Sequence, residues 1–135
     1  MRAIVICPLP PTLNDQIGYA RASKAQSARI KEEWSNTVET IAYTLPEFKS
    51  KIWLDFLWQV KTYKRDPDNI WASAKYVMDG LKSAGKIKQD SLMVIQSPTT
   101  HRYERTKGDD TLVLMISDRP IYQMTMLFEQ EDLVA

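Results

Sequence analysis

Asp66, Asp68 and Asp90, with Lys75 between them, are the residues of this chain best spaced for chemistry. Asp66 and Asp68 stand either side of Pro67, Lys75 and Asp79 follow at helical spacing, and Asp90 lies just beyond Gly85. Pro67 fixes its own φ and biases Asp66 toward an extended backbone. Residues two apart in an extended chain point to one side, so the two carboxylates converge if the extended stretch reaches Asp68. Gathered carboxylates repel and raise one another's pKa unless a cation joins them. An oxygen-only ligand set, with no His or Cys beside it, suits Mg²⁺ (or Mn²⁺) rather than zinc. Mg²⁺ in such sites keeps waters and takes phosphate oxygens, and a neighbouring lysine suits a phosphate or a developing negative charge. The combination points to metal-assisted phosphodiester cleavage. The same residues also read as a helix start, with Asp66 as N-cap and Pro67 at the first helical position. Both readings can hold together.

The acids need elements to position them. Ile70, Ala74, Val77, Met78 and Leu81 fall on one apolar face of a helix that starts at Asp66 and stops at Gly85, a suitable C′ residue. At about 100° per residue, Asp68, Lys75 and Asp79 fall within roughly 40° of one another on a different face. Upstream, Lys51–Tyr63 reads as the best strand in the chain: Ile52, Leu54, Phe56, Trp58 and Val60 alternate with a second set that includes Trp53, Asp55 and Leu57. Both faces are therefore expected to be partly covered, with Trp53 and Trp58 packing rather than stacking on bases. The strand delivers the acids at its C-terminal end, a usual place for a site on an α/β framework.

Elsewhere, Arg2–Cys7 reads as a first strand, Pro8–Gly18 as a loop and Ala20–Thr44 as a long helix ended by Pro46. Ser91–Tyr103 and Thr111–Ser117 read as third and fourth strands, joined as a hairpin by the Glu104–Asp110 turn, and Ile121–Phe128 as an extra strand or packing tail. The order β-α-β-α-β-β predicts an α+β fold, a two-layer α/β sandwich of a mixed sheet with helices on one side. One domain is expected over residues 1–128, with an acidic tail at 129–135. His101, the only histidine, is assigned no chemistry. Trp71 sits near the acids, off the centre of the apolar face, and suits packing better than wedging into nucleic acid.

At 135 residues, 44% apolar and 26% charged, the chain has the composition of one globular domain. Cys7 is the only cysteine, which excludes an intrachain disulfide. The apolar run Ala3–Cys7 is cut short by Pro8, too short for a membrane span or signal peptide, so a cytoplasmic protein without membrane contact is expected. The net charge of +1 is weak support for a nucleic-acid partner. Setting aside Glu129, Glu131 and Asp132 lowers the acids from 17 to 14 against 18 bases, a net +4. Lys64, Arg65, Lys82, Lys86 and Lys88 flank the acids and are candidate phosphate contacts, although such charges also serve simply to solvate a surface.

Arg65-Asp66-Pro67-Asp68-Asn69, then Lys75, Asp79-Gly80-Leu81, Ala84-Gly85 and Asp90, together with Pro10-Pro11-Thr12-Leu13-Asn14, resemble the RusA family of Holliday junction resolvases. The likeness covers roughly residues 4–18 and 61–118. It implies a two-layer α/β layout and a Mg²⁺-dependent endonuclease that resolves four-way DNA junctions by paired symmetric cuts, in DNA recombination and repair. It further implies Asp66, Asp68 and Asp90 as metal ligands, Lys75 as a catalytic cation, a C₂ homodimer, and Pro10–Asn14 near the substrate path. Two departures stand out. About three extra residues separate Asp68 from Lys75, close to one helical turn, which keeps Lys75 on the same face of a continuous helix. Gly80 replaces the usual alanine, which should loosen the helix slightly. The alternative readings are a catalytically weak branched-DNA-binding protein on the same scaffold, and a structural dimer whose acids only cap the helix.

Overall fold

Strand β2 (Trp53–Val60) carries Leu54, Phe56, Trp58 and Val60 into the core, and the computed structural model, which describes residues 1–121, assembles the sheet around it. β2 lies between β3 (Thr100–Arg105), which runs parallel to it, and β4 (Thr111–Ser117), which runs antiparallel. β4 pairs on its other side with β1 (Arg2–Pro8), also antiparallel, giving a mixed sheet of order β1-β4-β2-β3. The α+β class and the mixed sheet expected from the sequence are thus present. Apart from Ile121, the expected element Ile121–Phe128 lies outside the described residues, as does the acidic tail.

The expected hairpin between the last two strands does not form, because β2 separates β3 from β4. The side chains account for the difference. Leu112, Leu114 and Ile116 of β4 are fully buried, as a central strand requires, whereas β3 reads Thr-His-Arg-Tyr-Glu-Arg and suits an edge. The 106–110 segment instead arches over the end of β2, where Thr106 N–H donates to the Val60 carbonyl at 2.9 Å. The third strand is also shorter than expected: residues 91–99 are turns and bends, tied to the sheet by a bridge between Ile52 and Ile95.

Both expected helical regions are split. The first divides into α1 (Leu13–Ala22) and α2 (Lys24–Ala42) at Ser23, whose extended backbone breaks the helix and whose hydroxyl accepts from Gln26 N–H at 2.9 Å, an N-cap. α1 starts inside the segment expected to be a loop, because the Asp15 carboxylate accepts from Thr12 N–H at 3.0 Å and satisfies the helix start. The second divides into α3 (Pro67–Trp71) and α4 (Ala74–Ser83).

α4 buries Tyr76, Val77, Met78, Gly80 and Leu81 and packs on α2. Gly80 is the point of closest approach: a Cβ there would lie 2.4 Å from Val38 Cβ. The glycine expected to loosen the helix is therefore what lets the two helices meet. Gly85 ends α4 at φ +72°, with Lys86 N–H on the Leu81 carbonyl (2.9 Å) and Gly85 N–H on that of Lys82 (3.0 Å), the paired bonds of a Schellman stop. The helices cover one face of the sheet, with Val38, Ala42, Ile70, Val77 and Leu81 joining its inward residues in one cluster. On the opposite face Ile4 and Ile6 of β1 are more than half exposed.

Candidate functional site

The chain leaves β2 under tight control. Asp110 accepts from Lys61 N–H at 2.8 Å and from Arg65 Nη1 at 2.5 Å, so one carboxylate fixes both ends of the turn that leads to the acids. Asp66 is extended (φ −79°, ψ 130°), and its carbonyl accepts from the N–H groups of Asn69 (3.1 Å) and Ile70 (3.3 Å). It is thus the N-cap of α3 through its backbone, while its carboxylate makes no capping hydrogen bond. Asp68 lies in the first turn of α3, so the extended stretch ends before it and the two-residue alternation does not align the pair. Both acids are exposed, and among the described residues no hydrogen bond or ion pair engages either carboxylate.

The other expected members stand apart. Lys75 lies in the first turn of α4, beyond the Ala72–Ser73 turn that separates this helix from the one carrying Asp68. Its ammonium pairs with Asp79 at 3.4 Å. Asp90 lies after α4 and faces Lys82 at 3.9 Å. Among the described residues no group of three or more His, Cys, Asp or Glu side chains is placed to hold a metal ion. Hence Asp66, Asp68 and Asp90 are not assembled as one ligand set. The donor chemistry still suits a hard cation at Asp66 and Asp68, two carboxylates that no ammonium or guanidinium among the described residues engages.

The break in the second helical region has a cause. Ser73 is fully buried, and its hydroxyl lies 2.8 Å from the Pro10 carbonyl and 3.2 Å from that of Pro11. Gln16 Nε2 reaches the carbonyls of Pro11 and Ala72, each at 3.0 Å, and Asn14 N–H donates to Asn69 Oδ1 at 2.9 Å. Ala72 and Ser73 keep helical φ and ψ, but the hydrogen bonds tighten to i→i−3 spacing (Ser73 N–H on the Ile70 carbonyl, 3.0 Å; Lys75 N–H on that of Ala72, 3.4 Å), so a tight turn anchored by Ser73 joins α3 to α4. The 10–16 segment is therefore fastened to α3 and the turn that follows it. Asn69, Gln16 and Ser73 are positioning residues that the sequence reading overlooked; the Asp-x-Asp-Asn pattern was the available signal for Asn69.

Of the basic residues, Lys64 and Lys88 are exposed, Arg65 is committed to Asp110, Lys82 faces Asp90, and Lys86 Nζ donates to the Tyr43 carbonyl at 3.3 Å. Aromatic side chains border the same loop. Tyr63 is 57% exposed, Trp71 44% and Tyr103 38%. With Val60, Thr62, Arg65, Pro67 and Ile70, the two tyrosines line a cavity of about 270 Å³. Trp71 Nε1 donates to the Tyr103 hydroxyl at 2.5 Å, and the Arg105 guanidinium lies over the Tyr63 ring, 5.8 Å from its centroid.

Other titratable groups serve the framework. His101 lies flat against Phe56, 5.0 Å between ring centres and 10° apart in plane, and its Nδ1 accepts from Trp58 Nε1 at 3.0 Å. Burial holds its pKa below the ordinary 6.5, against an opposing pull from Asp55. Burial raises the pKa of Asp55, but hydrogen bonds from Arg102 (2.7 and 3.2 Å) and Thr100 (2.6 Å) outweigh it, so the carboxyl stays below its usual value. Cys7 is buried and its thiol is pushed up to about 11, which removes it as a nucleophile.

A mixed four-stranded sheet with helices on one face, and two exposed aspartates just beyond the end of a central strand, define an α+β domain with a candidate acidic site. No protein-family model matches the chain, and comparison with curated proteins finds no match. The likeness to RusA-type resolvases rests on the motif residues alone. No described helix is long and apolar enough to cross a membrane.

Proposed function

We propose that this chain is a Mg²⁺-dependent endonuclease acting on branched DNA, four-way junctions foremost, as a symmetric homodimer with one site per subunit. The observation that carries the reading is the pair Asp66 and Asp68, exposed beyond the carboxyl end of β2 and engaged by no cation among the described residues. Two free carboxylates beside a phosphate partner are unfavourable without metal, and their motif is the one the resemblance turns on. Asp66 and Asp68 would hold the ion, which when bound supplies an activated water and steadies the leaving oxygen.

The chain's own residues do the rest. Asp110 holds Arg65 and Lys61 N–H, so the loop bearing Asp66 is fixed before substrate arrives. Asn69 and Gln16 tie α3 to the 10–16 segment and fix the helix that carries Asp68. Lys64 contacts phosphate directly. Lys75 can turn from Asp79 to a phosphate at small cost, since an exposed i,i+4 pair contributes only about 0.2–0.5 kcal/mol. Asp90 can likewise leave Lys82, because exposed pairs contribute about 0–1 kcal/mol.

A second reading has its own support. Lys75 stands on a separate helix from Asp68 and is paired, and the three acids are not assembled, which suits a branched-DNA-binding protein that cuts poorly. Strand-mapped cleavage separates the two. An end-labelled four-way junction and a matched linear duplex are incubated with Mg²⁺ or with chelator, alongside Asp68→Asn. Paired symmetric nicks on the junction alone, lost in chelator and in the variant, support the nuclease. Tight junction binding without nicks under any divalent cation supports the binding protein.

A further inference from the structure

We propose that the cavity between the β2–α3 loop and β3 receives one unpaired nucleobase of the DNA, next to the phosphate that meets Asp66 and Asp68. This deepens the nucleic-acid reading above and rests on it. The walls are apolar or aromatic: Val60, Tyr63, Pro67, Ile70 and Tyr103, with Thr62 and Arg65 as the polar members. At about 270 Å³ the space falls just below the roughly 300–1,000 Å³ usual for drug-sized ligands and suits a single planar ring system.

The aromatics are presented rather than buried. Tyr63 is more than half exposed, although a tyrosine in a framework role would bury its ring. Tyr103 is held in place by the Trp71 indole at 2.5 Å, and the Tyr63 hydroxyl reaches the Tyr103 carbonyl at 3.5 Å, so the loop and the edge strand are laced together around the opening. Charge completes the match. Arg105 lies over Tyr63, and Lys64 is exposed on the adjoining loop with no ion-pair partner among the described residues. Aromatic faces beside free cations are what a single-stranded or unstacked nucleotide needs, a base to stack and a phosphate to neutralise. Pro67 joins the two sites covalently: it lines the cavity and separates the two acids. A base seated there places its own phosphates at the acidic pair, which gives the site a preference for DNA with an unpaired base at a branch.

The test uses the full chain and a four-way junction with a single unpaired 2-aminopurine at its crossover, in chelator so that nothing is cut. Base–aromatic stacking predicts quenched fluorescence on binding, and a dissociation constant roughly 5- to 150-fold weaker when an abasic site replaces the base. Tyr63→Ala should lose the quench and weaken binding by a similar factor, whereas Tyr63→Phe, which keeps the ring, should retain the quench. Circular dichroism checks that Tyr63→Ala stays folded, as its exposure predicts. Equal affinity and equal quenching in wild type and Tyr63→Ala would overturn the cavity assignment and leave the DNA reading intact. No junction binding at low salt, in wild type as in the variants, would overturn both.

Discussion

Gly80→Ala sets two effects of known size against each other. On helix propensity alone the substitution stabilises α4 by about 0.8–1.0 kcal/mol. The added methyl, however, would sit 2.4 Å from Val38 Cβ, 2.6 Å from Cγ1 and 3.2 Å from Cγ2. Overpacking a core in this way costs about 1–3 kcal/mol. The upper part of that range applies, because the nearest atom is a Cβ fixed to the α2 backbone, which no rotamer change can move. Relief requires α2 and α4 to separate, which loosens the packing of Val77 and Leu81 as well. The expected net effect is a loss of about 1–2 kcal/mol, read as a lower urea midpoint at unchanged slope. The background decides the cause. Val38→Ala keeps the offending Cβ, so Gly80→Ala should remain destabilising there. Val38→Gly removes it, and Gly80→Ala should then stabilise by the propensity term of about 1 kcal/mol. A wild-type background in which Gly80→Ala raises the midpoint would refute the close approach of the two helices.

Acid should weaken the fold in two windows. His101 has its pKa lowered in the folded state, so the unfolded chain binds the proton first, and stability is complete above the ordinary 6.5 and falls as pH drops below it. Urea midpoints at pH 7.5 and 5.5 should differ more for wild type than for His101→Gln; equal differences would remove His101 from the account. Asp55, also lowered, contributes stability that is present above 3.8 and lost at lower pH. Asp55→Asn should cost about 1.5–3 kcal/mol at neutral pH by weakening charge-assisted bonds from Arg102 and Thr100, measured by thermal or chemical unfolding. Asp110→Ala frees Arg65 and the Lys61 amide, and should impair cleavage more than junction binding, because it loosens the loop that aims Asp66. Affinity for the junction should fall with salt at a log–log slope of about −0.9 per phosphate neutralised, and Lys64→Ala should reduce that slope by about one contact.

The sequence made the fold class and the elements that carry the candidate site legible through local signals. Alternation over Trp53–Val60 marked a buried strand, and Asp-Pro-Asp marked its exit into a helix. Gly85 was readable as a helix stop because positive φ leaves few other residues available. What escaped was set by partners distant in the chain. The break at Ser73 comes from carbonyls of Pro10 and Pro11, more than sixty positions away, so a helical wheel drawn from Asp68 through Lys75 had no means of detecting it. The order of strands escaped for the same reason: a polar β3 and an apolar β4 close in sequence imitate a hairpin until the competition for the centre of the sheet is considered. Tyr63 and Tyr103 gave no periodic signal, since what marks them is shared exposure around a cavity formed by two separate segments.

The place of β4 also bears on how the chain acquires its shape as it is made. β1 precedes the other strands, and among the described residues its one neighbour in the sheet is β4, which begins at Thr111. A nascent chain therefore holds an apolar N-terminal strand with no partner until more than a hundred further residues have been added. The sheet cannot close progressively from one end; it closes when the later strand inserts between two that are already waiting. Such non-local closure slows folding and prolongs exposure of unpaired strand edges.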